Sequence, residues 1–467
     1  MHVKRIAVVG GGVAGLSAAW LLSKRFEVTL FEANNYVGGH SNTVNVPGRD
    51  GQPMPVDTGF IVYNERNYPN LTGLFGHLGV ATAESDMSFS FTAEDASLEW
   101  AGDNINTLFA QRRNLFNPGF LRMMLDILKF NRQGKRFLQQ AASPELAGDA
   151  AGSQPPGPGH DMALGEFLDQ IGVGANIRKH YLLPMAAAIW SCPPREMLHF
   201  PARRFLQFFH NHGLIDLANR PQWRSVVNGS REYVQRMLPG INGGHHVSSP
   251  VRQIRRLDDG VHLYGSDGIM GRFDEVVIAA HADQALAMLE QPSPLEQSLL
   301  SGIRYQANDA WLHTDADLMP RLRRVWASWN YLGSPDERPA SVSYWMNRLQ
   351  HLPTEQDWFV TLNPIRPPRV DTVHRRIAYD HPVFDQAAMA AQAGLGQIQG
   401  KDRLWFCGSY FGYGFHEDAL RSSVDLARAM GIEAPWNQLP GRAGEQPVPA
   451  AAANRSADNR PESWQTS

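Results

Sequence analysis

The chain has 467 residues, 43 basic against 46 acidic side chains, and only two cysteines, Cys192 and Cys407. The length allows two or three domains. An apolar share of 43% excludes a disordered chain, and a net charge of −3 removes bulk attraction to nucleic acid. Two cysteines exclude a disulfide framework and a Cys-ligated zinc or iron–sulfur centre. No apolar run approaches the roughly 18 residues of a membrane-spanning helix. The start, MHVKRIAVVGGG, is too short in its apolar run for a signal peptide, so a cytoplasmic protein is the default expectation. Only six basic residues are lysine, and none of them lies between 180 and 400.

In chain order, RIAVV (5–9) reads as a buried strand, followed by a glycine turn and helical patterning from Leu16 to Ser23. Val28 to Phe31 reads as a second strand ending at Glu32. This order implies a parallel pair with a right-handed crossover. The Ala-, Gly- and Pro-rich stretch 141–160 reads as a flexible insertion. Residues 247–267 read as strand, turn, strand, and 274–280 as a buried strand. LWFCG (404–408) is a further short strand, with a helix from about Asp418 to Met430. The composition of 436–467 predicts a disordered tail. Strands fit for one parallel sheet are thus scattered along the chain. The predicted fold class is α/β with an α+β insertion: a discontinuous Rossmann-like domain (1–80, 221–289, 386–435) and a mixed-sheet and helical substrate domain (81–220, 290–385).

Gly10-Gly11-Gly12-Val13-Ala14-Gly15 satisfies G-x-G-x-x-G directly after a strand and at the start of a helix. Gly10 makes the tight turn, Gly12 lets backbone approach a pyrophosphate, and Gly15 lets helix and strand pack closely. The helix N-terminus offers unpaired N–H groups to the phosphates. Glu32, beside Ala33, would accept hydrogen bonds from a ribose diol and repel a 2′-phosphate. A dinucleotide site follows, and NADP is disfavoured. A second glycine pair, Gly38-Gly39, precedes His40-Ser41-Asn42-Thr43 and brings more backbone to the same cofactor.

This pattern resembles the FAD-binding superfamily of amine oxidases, protoporphyrinogen oxidases and phytoene-type desaturases. His40 stands where arginine is usual, so a permanent charge is missing there. The resemblance extends to Asp57-Thr58-Gly59-Phe60, similar to the loop beside the flavin ring. Val251 matches the strand that touches adenine, and Asp274 to Ala280 the strand ending at the cofactor. Phe406-Cys407-Gly408-Ser409 and the helix near His416-Glu417-Asp418-Ala419 match the C-terminal flavin segment. It implies FAD as cofactor, NAD alone being the minor alternative. It also implies a helix N-terminus that stabilises negative charge on the reduced flavin. Together with ASWNY (327–331), VSYWMNRL (342–349) and FVTLNP (359–364), read as aromatic-rich strands, DTGFIVYN most resembles a bacterial subgroup of flavin oxidoreductases. That subgroup is associated with cyclopropane- and methyl-branched-lipid synthesis and includes furan-fatty-acid desaturases.

The resemblance implies dehydrogenation by hydride transfer to the flavin. Many amine oxidases of the superfamily hold a water with a lysine of the substrate domain, and the lysine-free stretch 180–400 argues against that device. The expected reaction is desaturation of a fatty-acyl chain, methyl-branched and phospholipid-borne. His416 and Tyr410 are the candidate catalytic groups, with capping and flavin contact as the alternative for His416. The other hypotheses are oxidation of a soluble amine, and a flavin-dependent isomerase or non-catalytic lipid-binding flavoprotein. Residues 112–137 interleave seven cations with apolar side chains and a single acid, Asp126. They read either as a membrane-interface segment, peripheral on the inner membrane face, or as a core-covering helix with a solvated basic face. Aromatic runs at 181–190 and 204–209 are core or tunnel wall, and Tyr410, Phe411, Tyr413 and Phe415 are core or substrate contacts. His210, His212, His245 and His246 lack metal-ligand spacing, so no metal is expected. Cys407 reads as packing. Oligomeric state is not readable.

Overall fold

The computed structural model describes residues 3–142, 162–190, 195–216, 220–333 and 341–438. Most of the 141–160 insertion, Cys192 and the chain beyond 438 lie outside them. Five parallel strands form one sheet in the order His245–His246, Glu27–Phe31, Arg5–Val9, Glu275–Ile278 and Leu404–Phe406. The central strands are continuous apolar runs, which suits strands covered on both faces. Helices Val13–Leu22 and His416–Ala429 cover one face and meet through Ser17 Oγ and Ser423 Oγ, 2.5 Å apart. The other face packs on a three-stranded antiparallel sheet spanning Gln253 to Phe273, and on helices Ala282–Met288, Pro294–Ser301 and Gln386–Gly394.

A seven-stranded sheet forms the second layer, in the order Val373–Val383, Arg304–His313, Phe359–Leu362, Ser341–Trp345, Trp329–Leu332, Phe89–Thr92 and Glu99–Ala101. A buried polar row crosses it. Ser90 donates to Asn330, Asn330 to the Ser343 carbonyl, and the Ser343 hydroxyl meets Thr361, which meets His313 Nε2. Every member has a partner, so the row fixes strand register without unpaired polar groups. Helices Pro118–Ala142, Leu164–Gln170, Leu183–Trp190 and Ala202–Asn211 pack around Phe130, Phe167, Phe205 and Phe209.

Several expectations need correction. The C-terminal helix begins at His416, because the Asp418 carboxylate accepts from the Tyr413 and Phe415 amides (3.0 and 3.1 Å) and caps the turn. Residues 247–252 are not strand: the Ser248 and Ser249 amides bond the Asn34 and Glu32 carbonyls instead. VSYWMNRL leaves its strand at Trp345 for a helical turn, Met346–Leu349. Leu299, Leu300 and Ile303 pack under the parallel sheet, so that layer runs past 289; Glu296 anchors it through Arg256, both contacts 3.0 Å. The tail does not begin at 436. Trp436 is buried against Trp20, and its Nε1 donates to Asn70. Trp436→Ala should therefore cost about 3–5 kcal/mol, read by chemical denaturation.

Candidate functional site

The carboxyl ends of the parallel strands lead into the glycine turn and Glu32, the usual place for a ligand in an open α/β sheet. Gly10 has φ +104°, and a Cβ there would meet the Ala279 carbonyl at 2.7 Å. A Cβ on Gly15 would lie 1.9 Å from the Gly10 carbonyl oxygen. These two glycines serve the protein's own packing. Gly12 is different: its φ of −65° suits any residue, and a Cβ there would meet nothing within 4 Å. Its open side is free for a ligand.

The second glycine run lies on the first. The Gly38 amide donates to the Gly11 carbonyl at 2.9 Å, and Gly12 and Gly38 form a bridge. Glu32 is buried and accepts from the Gly11 amide (2.6 Å) and the Asn34 amide (2.7 Å). Its oxygens thus fasten the turn. Val13, Ala14 and Gly15 open the buried helix behind the turn. Exposed Ala33 and buried Val251 flank Glu32, because 248–249 pair with 32–34.

His40, Ser41 and Asn42 run beside Thr58, Gly59 and Phe60. The Phe60 amide donates to the His40 carbonyl (2.7 Å) and the Thr58 amide to the Asn42 carbonyl (3.0 Å). Asp57 anchors this pair. Its carboxylate accepts from Thr43 (2.6 Å), from the Ser230 amide and hydroxyl (2.9 and 2.8 Å) and from Gln350 (2.9 Å). Burial pushes its pKa up to about 6, against the pull of those donors.

His416 lies face to face with Phe60 at 3.9 Å, and its Nε2 meets Tyr233 OH at 2.8 Å and Ser41 Oγ at 3.0 Å. Burial lowers its pKa to about 3, so it is neutral. With Nε2 taken by two hydroxyls and so weak a basicity, it is fitted to position rather than to accept a substrate proton. Tyr410 needs a firmer correction. It is 1% exposed in the core beneath the sheet, and burial holds its phenol well above the usual range. A sealed, protonated phenol cannot act as a base on an incoming substrate. Ser409 starts the turn above it, the Gly408 amide donates to Ser422 (2.9 Å), and Ala419 is buried in the helix. Cys407 is sealed, its thiol pushed up to about 12 by burial.

Sequence reasoning missed a second cluster. Tyr379 and His381 stand two apart on one strand and so share a face. Tyr379 stacks on His40 at 4.6 Å and its hydroxyl meets Thr58 Oγ1 at 2.9 Å. His381 Nδ1 accepts from Asn308 at 3.0 Å, which leaves its proton on Nε2, and Asn363 braces Asn308 at 2.7 Å. Period-two alternation in IAYDHP was the only signal available. His281 stacks on Tyr305 at 4.3 Å. Burial and their mutual repulsion depress His40 well below the usual range, and burial brings His381 to about 4. Four neutral imidazoles therefore gather here. His212 stands apart, stacked between Phe208 and Trp223 (3.9 and 5.9 Å). His210 ends a helix, and His245 and His246 form the exposed edge strand.

The open Gly12 face fits a dinucleotide. So do two buried nitrogens without a partner among the described residues, His40 Nε2 and His281 Nδ1. No helix among the described residues is long and apolar enough to cross a membrane.

A family model described as flavin containing amine oxidoreductase matches residues 13–315. The carotenoid phi-ring synthase of Streptomyces griseus is 25% identical over 305 residues, 62% of this chain and 54% of that protein, so the chain spans about half of that relative. A CLA-producing fatty acid isomerase from P. acnes superposes with TM-score 0.61 at 17% identity, over 92% of this chain and 99% of that one. A redesigned putrescine oxidase gives TM-score 0.63 at 14% identity, over 92% and 99%. At those identities the likeness is one of fold.

Gly12→Val should fold with unchanged apoprotein stability yet purify without flavin, whereas Gly15→Val should not fold; absorbance and circular dichroism separate the two. Acid should destabilise the apoprotein. His212, His313 and His381 (about 4) and His416 (about 3) stay neutral in the fold, so below about 6.5 the unfolded chain takes up more protons and stability falls with pH. Asp57 (about 6) and Glu417 (about 7) act oppositely but are outnumbered. The melting temperature should therefore be lower at about pH 5 than at about pH 7.

Proposed function

This chain belongs to the flavin containing amine oxidoreductase family and takes FAD as its cofactor, and from that premise we propose that it dehydrogenates an uncharged fatty-acyl chain, methyl-branched and carried on a phospholipid. When bound, FAD supplies the hydride acceptor. The chain's own residues do the rest. The two glycine runs and Glu32 fix the nucleotide half. Phe60, Ser41 and Tyr233 hold His416 in place, with its other ring nitrogen, Nδ1, outside the two hydrogen bonds. His40 and His381 offer N–H groups without net charge.

The observation that carries the substrate class is the neutrality of the lining. Next to the four uncharged imidazoles lies an aromatic cluster in which Phe208 stacks on Phe415, the neighbour of His416, at 4.9 Å and Trp190 lies 4.7 Å from Phe208. Asp283 and Asp380 act on His281, whereas the two carboxylates next to Phe60 and His416 are engaged: Asp57 by four donors, Asp418 by Arg421 at 2.8 Å and two amides. Neither is left to hold an ammonium group. The fatty acid isomerase and carotenoid proteins among its relatives lend support, since their names also point to long apolar molecules. Putrescine oxidase favours the second reading, a soluble amine.

Anaerobic mixing decides. Phospholipid bearing methyl-branched unsaturated chains should bleach the flavin and yield a new double bond in the recovered chain. Bleaching by amines alone would contradict the proposal. A shifted double bond with no net bleaching would mark an isomerase instead.

A further inference from the structure

The helix Pro118–Ala142 has two apolar faces, and only one is used. Phe120, Met123 and Phe130 are buried against the helical layer. Leu121, Leu125 and Leu128, spaced four and three apart, form a stripe on the opposite side and are 40%, 63% and 50% exposed. In the turn just before the helix, Leu115 is also exposed and Phe116 is 87% exposed. An ordinary solvated helix would carry polar groups here.

The charge around this crest has one sign. Arg112, Arg113, Arg122, Arg132 and Arg136 are exposed, and Lys129 and Lys135 half-buried. The single acid of the segment, Asp126, is buried and spent on Arg122 (3.1 Å) and the Gly174 amide (3.0 Å). Lys135 meets Asp216. Among the described residues Arg132 and Arg136 have no carboxylate partner. Exposed apolar side chains beside Arg132 and Arg136, which no carboxylate neutralises among the described residues, match the boundary between acyl chains and anionic headgroups. A second copy of the same surface would set cation against cation.

We propose that this face docks on an anionic lipid surface, with Phe116 and Leu125 entering the acyl boundary and Arg132 and Arg136 meeting headgroup phosphates. The helix packs through Phe130 on Phe209 of Ala202–Asn211 (6.5 Å), and Phe208 of that helix stacks on Phe415 beside His416. The docking face is thus one helical layer from the candidate site. The inference stands whether or not the substrate is an acyl chain.

Co-sedimentation of the flavin-loaded protein with vesicles tests it. Binding to phosphatidylglycerol-containing vesicles should exceed binding to pure phosphatidylcholine and weaken with salt. Arg132→Ala and Arg136→Ala should each weaken it roughly fivefold. Phe116→Ser with Leu125→Ser should abolish it, while the melting temperature and flavin content stay unchanged, because these side chains touch no core. No binding to anionic vesicles, equal binding to both lipids, or full binding by the double variant would overturn the proposal. So would self-association through this face in place of vesicle binding.

Discussion

Backbone lying directly on backbone is the contact on which the rest of the site depends. The Gly38 amide reaches the Gly11 carbonyl, and a Cβ on Gly39 would come within 3.0 Å of the Gly12 Cα. A side chain at Gly39 would hold the two runs apart. Their approach brings His40 and Ser41 beside the glycine turn, and Ser41 in turn holds His416 from the far end of the chain. Glu32 locks the arrangement by accepting from the turn itself. A cofactor would therefore meet a surface already assembled, with little ordering left to do on binding.

Asp57 extends that order to the substrate layer. One buried carboxylate gathers Thr43, Ser230 and Gln350, residues from three distant parts of the chain. Tyr379 adds a second tie through Thr58 and Asn42. The seven-stranded sheet is thereby fastened to the loop beside the glycine cradle. Both ties rest on buried hydrogen bonds, where loss of one partner strands the other. The neutral imidazoles have the same origin: crowding and burial remove their charge.

The nucleotide half was legible in the sequence because its determinants are local. Four apolar residues, a glycine turn, a helix and Glu32 fall within one short stretch, and each has a distinct backbone reason. The cluster of Tyr379, His381, Asn308 and His281 was not legible. It is made by cross-strand pairing, Asn308 opposite Tyr379, over about seventy residues of chain. Trp436 was hidden for another reason: a single aromatic in a Pro- and Gly-rich context shows no periodicity, yet it closes the core. In Pro118–Ala142 the interleaving of cations and apolar residues leaves open which side of the helix the fold covers. Tyr410 shares a loop with Tyr413 and Phe415, but its phenol turns inward to the core, a direction that adjacency in sequence does not carry.

The central claim is that an uncharged cleft selects an uncharged chain at the flavin. It is tested most directly by titrating the oxidised flavin-loaded protein with two ligands of equal chain length, an acyl ester and an alkylammonium ion. The flavin difference spectrum is the readout. The account predicts that the ester perturbs the spectrum saturably and binds more tightly than the ammonium ion at neutral pH. Tighter binding of the ammonium ion, displaced by neither ester nor salt, would contradict it.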